Sequence, residues 1–275
     1  MSFKELPIMS DKKKGSLLFY PYISKKSAQN IKRILSTRWI GQGPMVDKFE
    51  NKFQKVFAKK NFALATGSGT DSLHLAYLLA GIKKGDEVIT TVFTCTATNI
   101  PLLYIGAKIK FADIDPRTMN ISIPSVKKLI SKKTKAIVCV HYGGLPCEMD
   151  ELKKLSKKYK IPIIEDAAHA MGARYKGKTI GSISDFTTFS FQAIKHFTTG
   201  DGGMLTIKDK NLLKKGKRLR WFGIDREGKQ NGTWENDVYE TGYKYQMTDI
   251  AATLGFDSLL EFNKILIHRR KIFNV

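Results

Sequence analysis

Apolar residues recur in short runs that alternate with longer periodic stretches from about Asn61 onward. Runs such as AIVCV and IPIIE lack the strict alternation of a half-exposed strand and are typical of parallel strands covered on both faces. The pattern predicts seven strands, at Phe62–Thr66, Glu87–Thr90, Lys108–Ile114, Ala136–Val140, Ile161–Glu165, Phe186–Phe191 and Met204–Ile207. Helical stretches between them include Thr70–Ala80, Pro124–Ser131 and Met149–Tyr159. Strands that alternate with helices predict an α/β protein with a wound, mostly parallel sheet.

Length and composition are those of a globular chain. The 275 residues allow one large domain or one domain plus a partner, and 42% hydrophobic with 26% charged residues excludes disorder as the main state. No apolar run approaches the ~18 residues that span a bilayer. The N-terminal residues have no apolar stretch after their charges, so they are not a secretory signal. We expect a cytoplasmic protein with a flexible segment at residues 1–18.

The charge of +22 raises the possibility of nucleic-acid binding. Only 9 of the 47 basic residues are arginine, the residue best suited to phosphate and guanine. The lysines recur as separate pairs, which indicates a solvated surface and no sequence-specific nucleic-acid site. Cys95, Cys139 and Cys147 form no metal-binding or disulfide pattern, and the histidines have no metal-ligand spacing, so we expect no metal.

In a wound sheet the ligand binds at the carboxyl ends of the strands. The first predicted strand is followed by Gly67-Ser68-Gly69-Thr70-Asp71-Ser72 and then by a helix. A glycine-rich turn that opens a helix presents free N–H groups and a positive dipole end to a phosphate. An ordinary tight turn with Thr70 as the helix cap is an equally good interpretation of this stretch alone.

Two further strands end in residues that carry chemistry. Asp166 follows a buried strand, where it either meets a cation or caps the next helix. Lys195 follows an aromatic strand and precedes a glycine-rich loop, a setting in which a lysine can become a nucleophile toward carbonyls. A phosphate cradle, a strand-end aspartate and a strand-end lysine together predict a site for pyridoxal 5′-phosphate (PLP).

The ordered motifs resemble those of the nucleotide-sugar aminotransferases of the DegT/DnrJ/StrS family. The resemblance runs from about Phe19 to the end of the chain and rests on WIGQGP, ATGSGTDSLHLA, GDEVITT, GAKIKFADIDPRTMNI, TKAIVCVHYGG, IIEDAAHAMGA, GSISDFTTFSF, Lys195, TTGDGGML and GYKYQMTDIAATLG. It implies the aspartate-aminotransferase-like fold, a three-layer α/β/α domain. That PLP-binding large domain would occupy residues 19–255, and 256–275 would begin a linker helix toward a small C-terminal domain that the chain lacks.

The resemblance also implies roles for individual residues. Lys195 would form the Schiff base with PLP, Asp166 would pair with the pyridine nitrogen, and His169 would lie beside the ring and its 3-hydroxyl. The cofactor phosphate would be held by four residues, Gly69, Thr70, Asp71 and Ser190.

The chain departs from the family pattern at two cofactor positions. Cys95 stands where relatives usually stack an aromatic ring on the cofactor, so its sulfur or the nearby Phe93 would substitute. Gln246 replaces an asparagine that reaches the phosphate of the neighbouring subunit. Arg220 and Arg226 are candidates to meet a nucleotide diphosphate, although ordinary surface arginines are an equal alternative.

The resemblance implies a homodimer with shared active sites that transfers an amino group, from glutamate, to a nucleotide-linked keto-deoxy sugar. Such amino sugars serve surface polysaccharides, including lipopolysaccharide. Relatives with histidine in place of the reactive lysine dehydrate sugars, and Lys195 therefore favours transamination. Three alternatives stay open: a dehydratase of the same family, a truncated inactive or regulatory homologue, and a basic nucleic-acid-binding protein.

Overall fold

The computed structural model describes residues 21–226, 228 and 238–273. The segment predicted to be flexible, residues 1–18, lies outside these described residues. Seven strands form the central sheet: β1 (Phe62–Thr66), β2 (Glu87–Thr91), β3 (Lys108–Ala112), β4 (Thr134–Val140), β5 (Ile163–Asp166), β8 (Phe186–Ser190) and β9 (Gly203–Ile207). Two short strands, β6 (Arg174–Tyr175) and β7 (Lys178–Thr179), pair as a separate antiparallel ribbon.

Across the central sheet the strands follow the order β1, β9, β8, β5, β4, β2, β3. Strand β9 runs antiparallel to both of its neighbours, β1 and β8, whereas the other neighbouring pairs are parallel. The predicted mostly parallel α/β sheet is therefore confirmed. Because β9 returns beside β8, the connection 191–202 begins and ends at the carboxyl edge of the parallel strands. Lys195 lies in this connection.

Helices cover both faces of the sheet. The helices of the described residues are α1 (Ser27–Thr37), α2 (Pro44–Phe53), α3 (Gly69–Leu79), α4 (Thr96–Ile105), α5 (Ile123–Leu129), α6 (Met149–Tyr159), α7 (Lys210–Leu219), α8 (Asp249–Leu260) and α9 (Phe262–Phe273). A π-helical turn, Gln54–Ala58, continues α2. The predicted boundary at residue 255 falls within α8.

Strand β4 shows why the apolar runs of this sequence do not alternate. Ile137 and Cys139 belong to the core cluster on one face of the sheet, and Ala136 and Val138 belong to the cluster on the other face. The side chains from Ala136 to Val140 are all buried, so these five positions are apolar, whereas Lys135 near the start of the strand is exposed. This three-layer arrangement confirms the α/β/α prediction.

Several predicted ends were wrong by one to two residues. Strand β5 begins at Ile163 because Pro162 has no N–H to donate to a neighbouring strand. Strand β3 ends at Ala112, and Ile114 instead forms an isolated bridge with Ile121. Helix α5 covers Ile123–Leu129, one residue earlier at its start and two at its end than predicted, because Ser122 caps it and Ile130 is extended.

Candidate active site

The carboxyl ends of β1, β4, β5 and β8 surround a cavity of about 300 Å³. Seven of the nine predicted site residues line it: Gly69, Thr70, Cys95, Asp166, His169, Ser190 and Lys195. Asp71 and Gln246 are not among its lining residues. The fold therefore brings residues that are up to 126 positions apart (69 to 195) to one place.

The phosphate-type cradle is formed where α3 begins. Ser68, in an extended conformation, is the N-cap, and its hydroxyl accepts a hydrogen bond of 3.0 Å from the Asp71 N–H. Thr70 is inside the helix, so the expectation that it acts as the cap was wrong. A Cβ on Gly69 would lie 2.9 Å from the Cβ of Ser190, which explains why glycine is needed there. The first N–H groups of α3 and the Ser190 side chain thus meet at a close approach that suits a bound phosphate.

Asp71 and Gln246 lie beside this cradle. Burial raises the pKa of the Asp71 carboxyl, and hydrogen bonding with Ser68 opposes that shift. The main chain of Gln246 forms a bridge with Thr66 at the end of β1. The side-chain oxygen of Gln246 is buried and has no hydrogen-bond partner among the described residues.

Asp166 is the last residue of β5 and is buried at the cavity wall. One carboxylate oxygen accepts a hydrogen bond of 2.7 Å from the Thr98 hydroxyl of α4, and the other accepts one of 3.1 Å from the Ala168 N–H. No helix follows Asp166 directly, so the capping alternative was wrong. Among the described residues Asp166 forms no ion pair. A buried carboxylate held only by neutral donors is a partner for a cationic ligand.

Thr98 is itself held in place by Thr94. Their hydroxyl oxygens are 2.7 Å apart. Because the Thr98 hydrogen is given to Asp166, the Thr94 hydroxyl is the donor to Thr98. Sequence reasoning missed this pair, since no local pattern connects Thr98 with a carboxylate 68 positions away.

A second carboxylate, Glu165, lies on the opposite face of β5. It is fully buried, and one of its oxygens lies 2.8 Å from Nε2 of His141, which is also fully buried. The Cys147 N–H donates to Nδ1 of His141 at 3.1 Å, so Nδ1 is the acceptor nitrogen and Nε2 donates to Glu165. The His141 N–H donates to the Asp166 carbonyl. This network fixes the loop that follows β4.

Lys195 and His169 face each other across the cavity. The Lys195 N–H donates to the Gln192 carbonyl at 2.9 Å, which closes a turn directly after β8. The Lys195 ammonium has no hydrogen bond or ion pair with any described residue. Burial lowers the pKa of His169, and the charge of Lys195 lowers it further. The site therefore brings a neutral imidazole and the Lys195 side chain, which has no partner among the described residues, into one cavity.

Of the aromatic side chains that line the cavity, Tyr142 is one that the sequence did not identify. Cys95 is exposed and lines the cavity just before α4, whereas Phe93 is not a lining residue. Phe93 instead packs on Tyr142, with 4.5 Å between ring centres, and Tyr142 lines the cavity. The Tyr142 N–H donates to the Asn120 side-chain oxygen at 3.0 Å. A tyrosine after a strand-end histidine is a signal that could have been used.

Arg220 does not have the position predicted for a substrate-binding arginine. It is buried, and its Nη1 lies 2.6 Å from the Glu50 carboxylate and 2.8 Å from the Ala65 carbonyl. The predicted role at the mouth is corrected to a structural one. Arg226 donates to the Gln42 carbonyl at 2.8 Å and lines a second cavity of about 230 Å³. This second cavity shares no lining residue with the cavity that contains Lys195 and Asp166.

The charge of the chain is spread over the surface. Six lysine pairs stand out in the sequence, at residues 59/60, 83/84, 127/128, 153/154, 157/158 and 214/215. Ten of these twelve lysines are exposed, and Lys153 and Lys215 are half-buried. Within the described ranges, no helix is both long enough and apolar enough to cross a membrane. No group of three or more metal-ligating side chains could hold a metal ion in that part of the chain.

Comparison with known proteins places the chain in a family. Residues 21–275 match the model of the DegT/DnrJ/EryC1/StrS aminotransferase family, and the chain belongs to that family. It is 38% identical to the spore coat polysaccharide biosynthesis protein SpsC of Bacillus subtilis, over 92% of this chain and 66% of that protein. It is 36% identical to the GDP-perosamine synthase of Escherichia coli O157:H7, over 94% of this chain and 69% of that protein.

A Streptococcus pneumoniae protein assigned as a sugar aminotransferase and solved in its PLP form is 30% identical. Its TM-score is 0.86, and the match covers 94% of this chain and 70% of that one. These comparisons confirm the predicted fold, family and enzyme class. They also confirm PLP as the cofactor of that class. The chain spans about two thirds of the length of the curated relatives it matches.

Proposed function

We propose that this chain is the PLP-binding part of a sugar aminotransferase. The observation that carries the proposal is the convergence of three groups on one cavity. These are the N-terminus of α3 with Ser190, the unpaired carboxylate of Asp166 and the amine of Lys195. The three match, in order, the phosphate, the ring nitrogen and the aldehyde of PLP, so the residues present fit this cofactor.

PLP when bound supplies an electron sink for the charge left on the α-carbon of the amino donor. Asp166 keeps the proton on the pyridine nitrogen, because a buried carboxylate strongly favours a cation beside it. Thr98 and Ala168 hold that carboxylate in place. With PLP bound, His169 would lie, as a neutral imidazole, beside the ring and its 3-hydroxyl.

Lys195 moves the proton that transamination requires. With PLP bound, the Lys195 amine would hold the cofactor at its aldehyde carbon, and as general base and acid it would hold and move the proton of the donor α-carbon. The amine is suited to this because it has no competing partner among the described residues. The presence of lysine here also favours transamination over dehydration.

The phosphate contacts assigned to Gly69, Thr70 and Ser190 all lie at the cradle. Asp71, in the first turn of α3, does not line the cavity, so it would support the phosphate contacts from beside the cradle. Gln246 is assigned to the phosphate of a neighbouring subunit by resemblance alone, and only its side-chain amide nitrogen could donate to a phosphate, because its side-chain oxygen is an acceptor. By resemblance to the family, the enzyme is a homodimer with residues 19–255 as the large domain, and residues 256–275 would begin the linker, which includes the end of α8 and then α9.

We assign the substrates by similarity. The acceptor is a nucleotide-linked keto-deoxy sugar, the donor is glutamate, and the product serves a surface polysaccharide. The name GDP-perosamine synthase supports a nucleotide-linked sugar, and the name of SpsC, a spore coat polysaccharide biosynthesis protein, supports the polysaccharide role. Cys95, Cys139 and Cys147 are all free thiols, which supports a reducing, cytoplasmic location.

The half-reaction with glutamate tests this function, and Asp166→Asn is the informative variant. Asparagine keeps the shape of the side chain but removes the charge that holds the ring proton. We expect the rate of 2-oxoglutarate release to fall by ~100-fold or more, by analogy with the loss of one preorganised electrostatic group. The variant should still bind PLP through Lys195 and remain yellow. Rates within a few-fold of the parent would exclude the ring-nitrogen role of Asp166.

A further inference from the structure

The segment that carries Lys195 is held mainly by its own bonds. The Lys195 N–H and the Ile194 N–H both bond to Gln192, through its carbonyl and its side-chain oxygen respectively. The Gln192 N–H bonds to the Ser190 hydroxyl at the end of β8. Among the described residues, only one hydrogen bond reaches residues 192–196 from a separate helix.

That bond comes from Arg269 of α9. Its Nη2 donates to the main-chain carbonyl of Lys195 at 3.0 Å, across 74 positions of sequence. Lys195 lines the cavity with its side chain. Its main-chain carbonyl is therefore the acceptor through which another element can hold this residue in place. A charged donor on a carbonyl is among the stronger kinds of hydrogen bond.

Helix α9 is firmly placed where it begins. Phe262 is buried and packs edge-on against Phe57 at 5.1 Å and against Phe197 at 6.2 Å between ring centres. Gly172 lies so close that a Cβ there would be 2.9 Å from the Phe262 ring. Phe197, two residues after Lys195, thereby joins the lysine segment to the same helix.

Helical geometry explains how Arg269 reaches Lys195. Seven residues are almost two turns of α-helix, so Arg269 emerges on the same face of α9 as Phe262. Ile265 is also buried and lies on that face. The buried stripe that anchors α9 in the core is therefore followed on the same face by Arg269, an exposed residue whose guanidinium donates to the lysine segment.

The surroundings of this bond are electrostatically simple. His196 is adjacent to Lys195, and its Nδ1 is buried without a partner among the described residues. Burial lowers the pKa of His196 to about 4, and the charge of Arg269 adds to that shift. His196 is therefore neutral near pH 7 and does not compete with the carbonyl for Arg269.

We propose that Arg269 is a positioning residue for Lys195. By holding the Lys195 carbonyl on α9, it sets the direction in which the lysine amine reaches into the cavity. The inference rests on the proposed function, since it gives Arg269 a purpose only if Lys195 reacts with PLP. It also makes α9 a mechanical link, because a shift of this helix moves the reactive lysine.

The test compares Arg269→Met with Arg269→Lys and with the control Arg270→Met. Methionine keeps an apolar stem but removes the donor, whereas lysine keeps one charged donor for the single bond. Arg270 is exposed on the same helix and forms no bond to the lysine segment. Each full-chain variant is mixed with PLP, reduced with borohydride at timed intervals, and analysed by mass spectrometry for label on Lys195. Thermal melting and equilibrium PLP binding are measured in parallel.

We expect Arg269→Met to slow labelling of Lys195 by about tenfold, as misplacement of a reacting group by a fraction of an ångström does. Arg269→Lys should recover most of the rate, Arg270→Met should match the parent, and melting temperatures should agree. Equal labelling rates for Arg269→Met and Arg270→Met would overturn the positioning role alone. Absence of label on Lys195 in the parent would overturn the proposed function instead. Slow labelling of Arg269→Met together with a lowered melting temperature, neither of which recovers in Arg269→Lys, would also count against positioning.

Discussion

The hydroxyl of Thr98 donates a hydrogen bond of 2.7 Å to the carboxylate of Asp166, and both side chains are buried. Thr98 comes from the first turn of α4, and Asp166 ends β5. The contact therefore connects the helix that begins next to Cys95 with the strand that carries the charged group of the site. It orients a carboxylate in a place where no described cation compensates it.

Replacement of Thr98 should show how much this donor contributes. Thr98→Val keeps the shape and removes the hydroxyl, so the buried Asp166 loses a bond to a charged group. We expect the free energy of unfolding to fall by about 2 kcal/mol, and PLP affinity to fall with it. Thr98→Ser retains the donor and is the matched control. Urea unfolding that places the two variants within about 0.5 kcal/mol of each other would contradict the importance of this bond.

Arg220 should matter for stability and not for substrate binding. Its removal leaves Glu50 buried with, among the described residues, only the Ala65 N–H as a partner. Arg220→Met is expected to lower the free energy of unfolding by about 3–5 kcal/mol, the usual cost of breaking a buried ion pair. Arg226→Met, which removes a partly exposed arginine from the same region, should cost well under half of that. A stable Arg220→Met protein with a raised KM for the sugar would restore the role at the mouth of the site.

His74 should make the chain sensitive to acid. Its Nδ1 lies 3.0 Å from the Tyr245 hydroxyl, and burial lowers its pKa to about 4, against about 6.5 in an unfolded chain. Between these values the unfolded state binds the proton and the folded state does not, so stability falls as the pH drops through this window. The contribution is about 3 kcal/mol at most.

The control for this prediction is a second histidine. His74→Gln should reduce the dependence of the unfolding free energy on pH between 6.5 and 4, to which His196, with a pKa of about 4, also contributes, whereas His268→Gln, on the exposed side of α9, should leave it unchanged. Urea unfolding at several pH values gives both slopes. Identical slopes for the parent and the His74 variant would show that burial of this ring does not oppose its protonation.

The sequence was informative where function depends on local order. Asp166 stands directly after a predicted strand and Lys195 stands four residues after another, and ligands of wound sheets bind at the carboxyl ends of strands, so their positions along the chain alone made them candidates. The apolar runs predicted strand positions because both faces of the sheet are covered. The direction of β9 could not be predicted, because an apolar run has no polarity and its pairing with β1 depends on distant residues.

The residues that sequence reasoning missed depend on contacts between distant segments. Thr98 supports Asp166 across 68 positions, and Arg220 meets Glu50 across 170. Neither pair has a spacing that marks it, so a buried arginine was interpreted as a surface one. Tyr142 was missed for a related reason, since an aromatic substitute near Cys95 was sought along the chain and not across the cavity.

The central claim is that Lys195, among 38 lysines, is the one that reacts with PLP. The direct measurement is borohydride reduction of the full chain after mixing with PLP, followed by mass spectrometry of its peptides. We predict that the pyridoxyl label falls on the peptide containing Lys195. Lys195→Ala should lose the reducible adduct while keeping some PLP bound at the α3 cradle. A label mainly on another lysine, or an undiminished adduct in Lys195→Ala, would contradict the account.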